Sequence, residues 1–168
     1  MSIPAQVFGE AYPAKMSPGQ LFRFRGSWAL RVAHGNQKEI QGFVLLEGDH
    51  AGRLFKIGDG MPRCLAIMHP FTWFPSVEAT AIPQRDAMQT ATLTVGSLGP
   101  VIIGGDLEGD GFDPNYIAFD LDGRESASFD AHGSEVRFAK WSVELQHPSR
   151  SFESLGTLLL IDRQVGTR

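Results

Sequence analysis

Cysteine is nearly absent from this chain of 168 residues: Cys64 stands alone. A disulfide within the chain is therefore excluded, and so is a zinc site built from several cysteines. Long apolar runs are also missing, and none reaches the length needed to span a membrane. The first residues, MSIPAQVFGEAYPAKMSPGQ, lack the basic start and apolar core of a secretory leader. A reducing, cytoplasm-like compartment is the expectation. An excess of positive charge is lacking as well. The net charge is −4, so the basic footprint of a nucleic-acid binder is missing, and neither nucleic acid nor membrane is an expected partner.

Charge is nonetheless unevenly spread. Residues 1–70 carry eight bases and five acids, whereas residues 104–135 carry nine acids and only Arg124 as a base. Glycine and proline are plentiful, at 19 and 10, and fall between short apolar runs. That is the punctuation of many strands joined by tight turns.

The strongest pattern is LFRFRGSWALRVA at residues 21–33. Phe22, Phe24, Trp28, Leu30 and Val32 share one parity, and Arg23, Arg25, Ser27, Ala29 and Arg31 share the other. Strand side chains alternate faces, so this reads as one half-buried strand over 20–33 with an arginine row outside. Further strands are expected at 40–47, 53–58, 63–69, 72–74, 88–97, 101–103, 116–121, 125–129 and 135–146. Segment 20–58 reads as a three-stranded meander. In 135–146 the apolar phase switches between Phe138 and Trp141, which predicts a bulge near Ala139-Lys140. Pro148–Leu155 suggests one helical turn, and Leu155–Ile161, apolar on both parities, a central strand buried on both faces. Residues 1–19 read as an extended arm, 20–163 as a single β domain and 164–168 as a tail. The expected fold is all-β: an antiparallel barrel or two-sheet sandwich of about nine or ten strands, with at most one short helical turn.

Two segments stand out for chemistry. Asp106, Glu108, Asp110 and Asp113 place carboxylates on near-alternate residues of a glycine-rich loop. Such spacing wraps oxygen ligands around a cation, and Ca2+ is the cofactor it suggests. The flanks are strands, and Ile117 stands where an EF-hand loop needs its bidentate glutamate, so only a looser acidic cage is indicated. The alternative is a solvated turn. HPFTWFP, residues 69–75, brackets Phe71, Trp73 and Phe74 with prolines. Rings held in this way either face a ligand or partner, or fold over the open end of the core.

Catalytic signatures are missing. His34, His50, His69, His132 and His147 occur singly, with neither H-x-H nor H-E-x-x-H spacing. Ser97 lacks the full G-x-S-x-G turn. Gly26-Ser27-Trp28 resembles the opening G-x-W signature of lipocalin-like barrels over three residues. The resemblance implies a barrel with a hydrophobic interior.

The functional expectation is a non-enzymatic binding or assembly module, with an unknown protein or a second copy as partner. Arg23, Arg25 and Arg31 would meet the acidic surface of residues 106–130. One alternative is a small-molecule or carbohydrate-binding barrel, with an open pocket near Phe71 to Phe74. Another is a hydrolase or isomerase whose site is assembled from separate strands.

Overall fold

A computed structural model describes residues 2–35, 37–81, 83, 90–106, 115–126 and 135–163. Within these residues the protein is all-β, with no α-helix. The N-terminal segment makes two single 3-10 turns, Ala5–Val7 and Pro13–Lys15, on either side of β1 (Phe8–Ala11). Next come β2 (Leu21–Phe24), β3 (Ser27–His34), β4 (Ile40–Leu45), β5 (Leu54–Lys56) and β6 (Cys64–Ile67). The remainder are β7 (Thr72–Ser76), β8 (Leu93–Gly96), β9 (Gly99–Asp106), β10 (Asn115–Phe119), β11 (Val136–Phe138), β12 (Lys140–His147) and β13 (Arg150–Asp162).

Three antiparallel sheets result, in the orders β1-β6-β2-β3-β4-β5, β10-β9-β8-β11 and β13-β12-β7. Among the described residues, strand pairing does not close into a ring. One principal core draws on all three sheets. Leu30 and Val44 come from the first, Ile102 and Phe119 from the second, and Trp141, Val143 and Trp73 from the third.

The segment expected as one long strand is a hairpin. Arg25 (φ 48°) and Gly26 (φ 85°) form a two-residue turn, and Phe22 lies opposite Ala29. Both central residues have positive φ, as a type I′ hairpin turn requires. Across such a loop, residues of opposite parity share a face. Phe22 and Phe24 therefore lie with Ala29 and Phe43, while Trp28, Leu30 and Val32 enter the principal core. The phenylalanine face forms a second, smaller core. Phe43 is stacked on Phe55 at 5.2 Å and meets Phe22 edge-on at 5.3 Å, and Met16 of the N-terminal segment joins the cluster. The first sheet is thus covered on both faces. Splitting the long strand also turns the expected three-stranded meander into a four-stranded one, β2 to β5.

The predicted phase switch near Ala139 is a change of sheet. β11 pairs with β8, and after the bend at Ala139 β12 pairs with β13 and β7. The segment expected to make a helical turn is instead a tight hairpin, with His147 opposite Arg150. The segment expected as a doubly buried central strand forms part of β13 at the edge of its sheet, and Leu160 there is 57% exposed. Its apolar residues fall on both parities because the register of β13 shifts against β12.

Candidate functional site

Trp73 is withdrawn into the principal core, 8% exposed, and its indole N–H donates to the Gly19 carbonyl at 2.8 Å. Phe71 is half-buried against the same core. A cleft of about 330 Å³ opens beside them, lined by Pro18, Gln20, Ile67, Phe71, Trp73 and Leu121, among others. It lies where three segments meet: Gly19 N–H donates to Arg31 O at 2.8 Å, and Ala33 N–H donates to Gly123 O at 2.8 Å. The polar groups at this cleft are largely committed elsewhere. Gln20 Oε1 accepts from Ser17 N–H at 2.8 Å, in addition to the indole bond of Trp73.

Phe74 points elsewhere, onto the outer face of the β7-β12-β13 sheet. β12 alternates strictly, with Trp141, Val143 and Leu145 buried and Ser142, Glu144 and Gln146 facing out. Opposite pairs in a sheet share a face. Glu144 lies between Phe74 on β7 and Thr157 on β13, and Ser142 lies between Ser76 and Leu160. Ser154, Thr157 and Leu160 are spaced by three, so a regular strand would scatter them to both faces. Register shifts between Val143 and Glu144 and between Leu145 and Gln146 bring all three to the outer face. Each shift inserts an extra residue on β13 and turns the next stretch of strand over.

The result is a carboxylate ringed by hydroxyls. Ser142 Oγ donates to Glu144 Oε1 at 2.7 Å and Ser154 Oγ to Oε2 at 2.7 Å. Thr157 Oγ1 lies 2.9 Å from Oε1 and 3.1 Å from Oε2. Partial burial alone would raise the Glu144 pKa. The hydroxyl bonds from Ser154, Ser142 and Thr157 outweigh it and hold the group below the ordinary carboxylate value. An ionised carboxylate only accepts hydrogen bonds, so the hydroxyls spend their protons on it and act otherwise as acceptors, as Ser154 Oγ does toward the Gly156 N–H at 3.0 Å. A cleft of about 400 Å³ opens here, lined by Ser76, Glu78, Lys140, Ser142, Glu144 and Leu160, among others.

Beside the cleft, Phe74 meets Phe152 edge-on at 5.8 Å. Phe152 is 78% exposed and holds φ at 60°. A bulky residue is strained in that region. Its N–H donates to Gln146 Oε1 at 3.2 Å, and Arg150 pairs with Glu153 at 3.2 Å on either side of it.

The arginine row does not form. Arg31 is buried, 2% exposed, among backbone carbonyls. Arg23 bonds its own turn through the Gly26 carbonyl, and Arg25 lies over the Phe24 ring at 5.2 Å. The parity count fails here because the hairpin turn lies between Arg23 and Arg31. Of the acidic loop, Asp106 ends β9 paired with Asn115, while Glu108, Asp110 and Asp113 lie outside the described residues. Among the described residues, no group of three or more His, Cys, Asp or Glu could hold a metal ion.

Sequence reasoning finds Phe74 but misses Glu144, Phe152 and the hydroxyl residues. Alternation over 140–147 signals that Ser142 and Glu144 face outward, but nothing in the β13 sequence announces its register shifts. Among the described residues, no helix is long and apolar enough to cross a membrane. No family model, curated protein or solved structure matches the chain.

Proposed function

We propose that this protein is a non-enzymatic binding or assembly module of the cytoplasm whose partner rests on the outer face of the β7-β12-β13 sheet. One observation carries the reading: Phe152 is held 78% exposed at a strained positive φ. Burial of a phenylalanine normally contributes about 1.5–3 kcal/mol, and here both that gain and an unstrained backbone are forgone. Leu160, 57% exposed on the same face, extends the apolar surface. The shared core of the three sheets supports an open, barrel-like enclosure rather than two stacked layers.

The test is Phe152→Ala combined with Leu160→Ser, followed by sedimentation velocity over a wide concentration range. The expected result is association in the parent chain, lost in the variant, with both melting at the same temperature. A variant destabilised by more than about 1.5 kcal/mol would make the ring a structural element and remove the reading.

A second reading, a small-molecule or carbohydrate binder, is supported by the two clefts of about 330 and 400 Å³. Both lie at the small end of ligand pockets. The hydroxyl and carboxylate lining of the larger one suits a sugar ring, and saccharide titration tests it.

A further inference from the structure

We infer that the cleft beside Glu144 receives a guanidinium group, an arginine side chain presented by the partner. This rests on the outer face being the binding face, and adds what that face recognises.

Protons and lone pairs in the cleft can be counted. A carboxylate offers about four acceptor sites. Three hydroxyl protons, from Ser142, Ser154 and Thr157, occupy three of them. About one site remains, and the hydroxyl oxygens have only lone pairs left to offer, one of which on Ser154 already accepts from the Gly156 N–H at 3.0 Å. Among the described residues Glu144 has no cation within 4 Å, since the ion pairs there are Arg63–Glu10, Arg124–Glu39 and Arg150–Glu153. The cleft therefore presents, among the described residues, acceptors and a negative charge with no counter-ion within 4 Å. Glu78, among the described lining residues, adds a second negative charge, against the one ammonium of Lys140.

A matching ligand brings several donors, carries positive charge and tolerates an aromatic neighbour. The guanidinium group has five N–H donors in a plane and no acceptor. Phe74 lies directly across from Glu144, so its ring is within reach of a cation bound there. An ammonium group carries the charge but has three donors and no flat face to lay on the ring. The cleft's roughly 400 Å³ is ample for an arginine side chain.

The test is an NMR titration of isotopically labelled protein with N-acetyl-arginine methylamide, with the norleucine analogue and a monosaccharide as separate arms. The arginine compound is expected to shift the amides of Ser142, Glu144 and Thr157 saturably. Glu144→Gln should weaken it at least tenfold, and Lys140→Gln should strengthen it a few-fold by removing the competing cation. Lys140→Gln leaves the hydroxyl ring intact, so it informs even if Glu144→Gln is unfolded. Equal shifts from arginine and norleucine overturn the guanidinium assignment while leaving the face as a binding surface. Saturable shifts from the saccharide and none from arginine overturn it in favour of a polyol. No response in any arm overturns the assignment, and if the Phe152 and Leu160 variant also associates like the parent, the reading of the face goes with it.

Discussion

The Arg31 guanidinium donates from Nε to the Pro13 carbonyl at 2.9 Å, across 18 residues of chain. Its other nitrogens reach Val32 O at 2.6 Å, Gly42 O at 3.3 Å and Gln41 Oε1 at 2.6 Å. Burial pushes its pKa down, Glu39 pulls it up, and Arg124 pushes it down again. The side chain stays charged because the guanidinium pKa starts so high. A buried cation is tolerated here because carbonyls and an amide stand in for water. It clasps the N-terminal segment to β3 and β4. Arg31→Met should therefore strand several buried acceptors, each costing about 1–3 kcal/mol. We expect a net loss of about 3 kcal/mol by urea unfolding. Arg31→Lys should recover only part of it, since one ammonium cannot span the same carbonyls.

Gly123 marks the junction of three segments. Its φ is 71°, and an added Cβ would lie 2.2 Å from Arg31 O and 2.4 Å from Gly19 N. Both obstacles are backbone, so neither can swing away. Gly123→Ala should lower stability by more than about 2 kcal/mol, well above the usual effect of a surface substitution. Thermal melting reads this directly. A variant as stable as the parent would mean the junction opens freely.

The β2–β3 turn offers a gain. Arg25 occupies a left-handed conformation that asparagine adopts more readily, and Asn-Gly is the favoured pair for such a turn. Arg25→Asn loses the contact with the Phe24 ring, worth about 0.5–1 kcal/mol when exposed. Relief of strain of about 1–2 kcal/mol should exceed this. A small rise in melting temperature is expected.

Glu144 sets a pH dependence. Its folded pKa lies below the ordinary carboxylate value, so the folded state releases its proton more readily than the unfolded state. The stability it contributes is fully present above the unfolded pKa of about 4.3 and is lost as pH falls through the lower folded value. Glu144→Gln should flatten that acid limb of the stability curve while changing little of its slope near neutrality. Urea midpoints measured from pH 7 down to pH 3 will show it.

Cys64 should be a slow nucleophile. Burial raises its thiol pKa, and Sγ donates weakly to Pro62 O at 3.5 Å. At pH 7.5 its alkylation by iodoacetamide should run slower than that of free glutathione, because less of it is thiolate.

Strand content and most strand positions are legible from alternation, since period-two burial is a local signal. The change of partner at Ala139 is legible as a break in phase. What escapes the sequence depends on pairing. The Arg25-Gly26 turn lacks the usual Asn-Gly signature. Without that turn, Phe22 and Phe24 fall with Trp28, and Arg31 goes to the wrong environment. The bulges that gather Ser154 and Thr157 around Glu144 exist only in relation to β12. No count along β13 alone reveals them, and a run apolar on both parities imitates a central strand. Phe74 stands out in the sequence for its prolines and its neighbouring rings, whereas its significance lies in the carboxylate across from it.

The bend at Ala139 carries one peptide chain from the second sheet into the third with no loop between them. Slack is absent at that crossing, so one sheet cannot shed its pairing without tugging the other. Amide hydrogens on either side, from Val136 to Val143, should therefore exchange with solvent in a single concerted opening. The two sheets would then melt as one body, however separate their hydrogen-bond ladders.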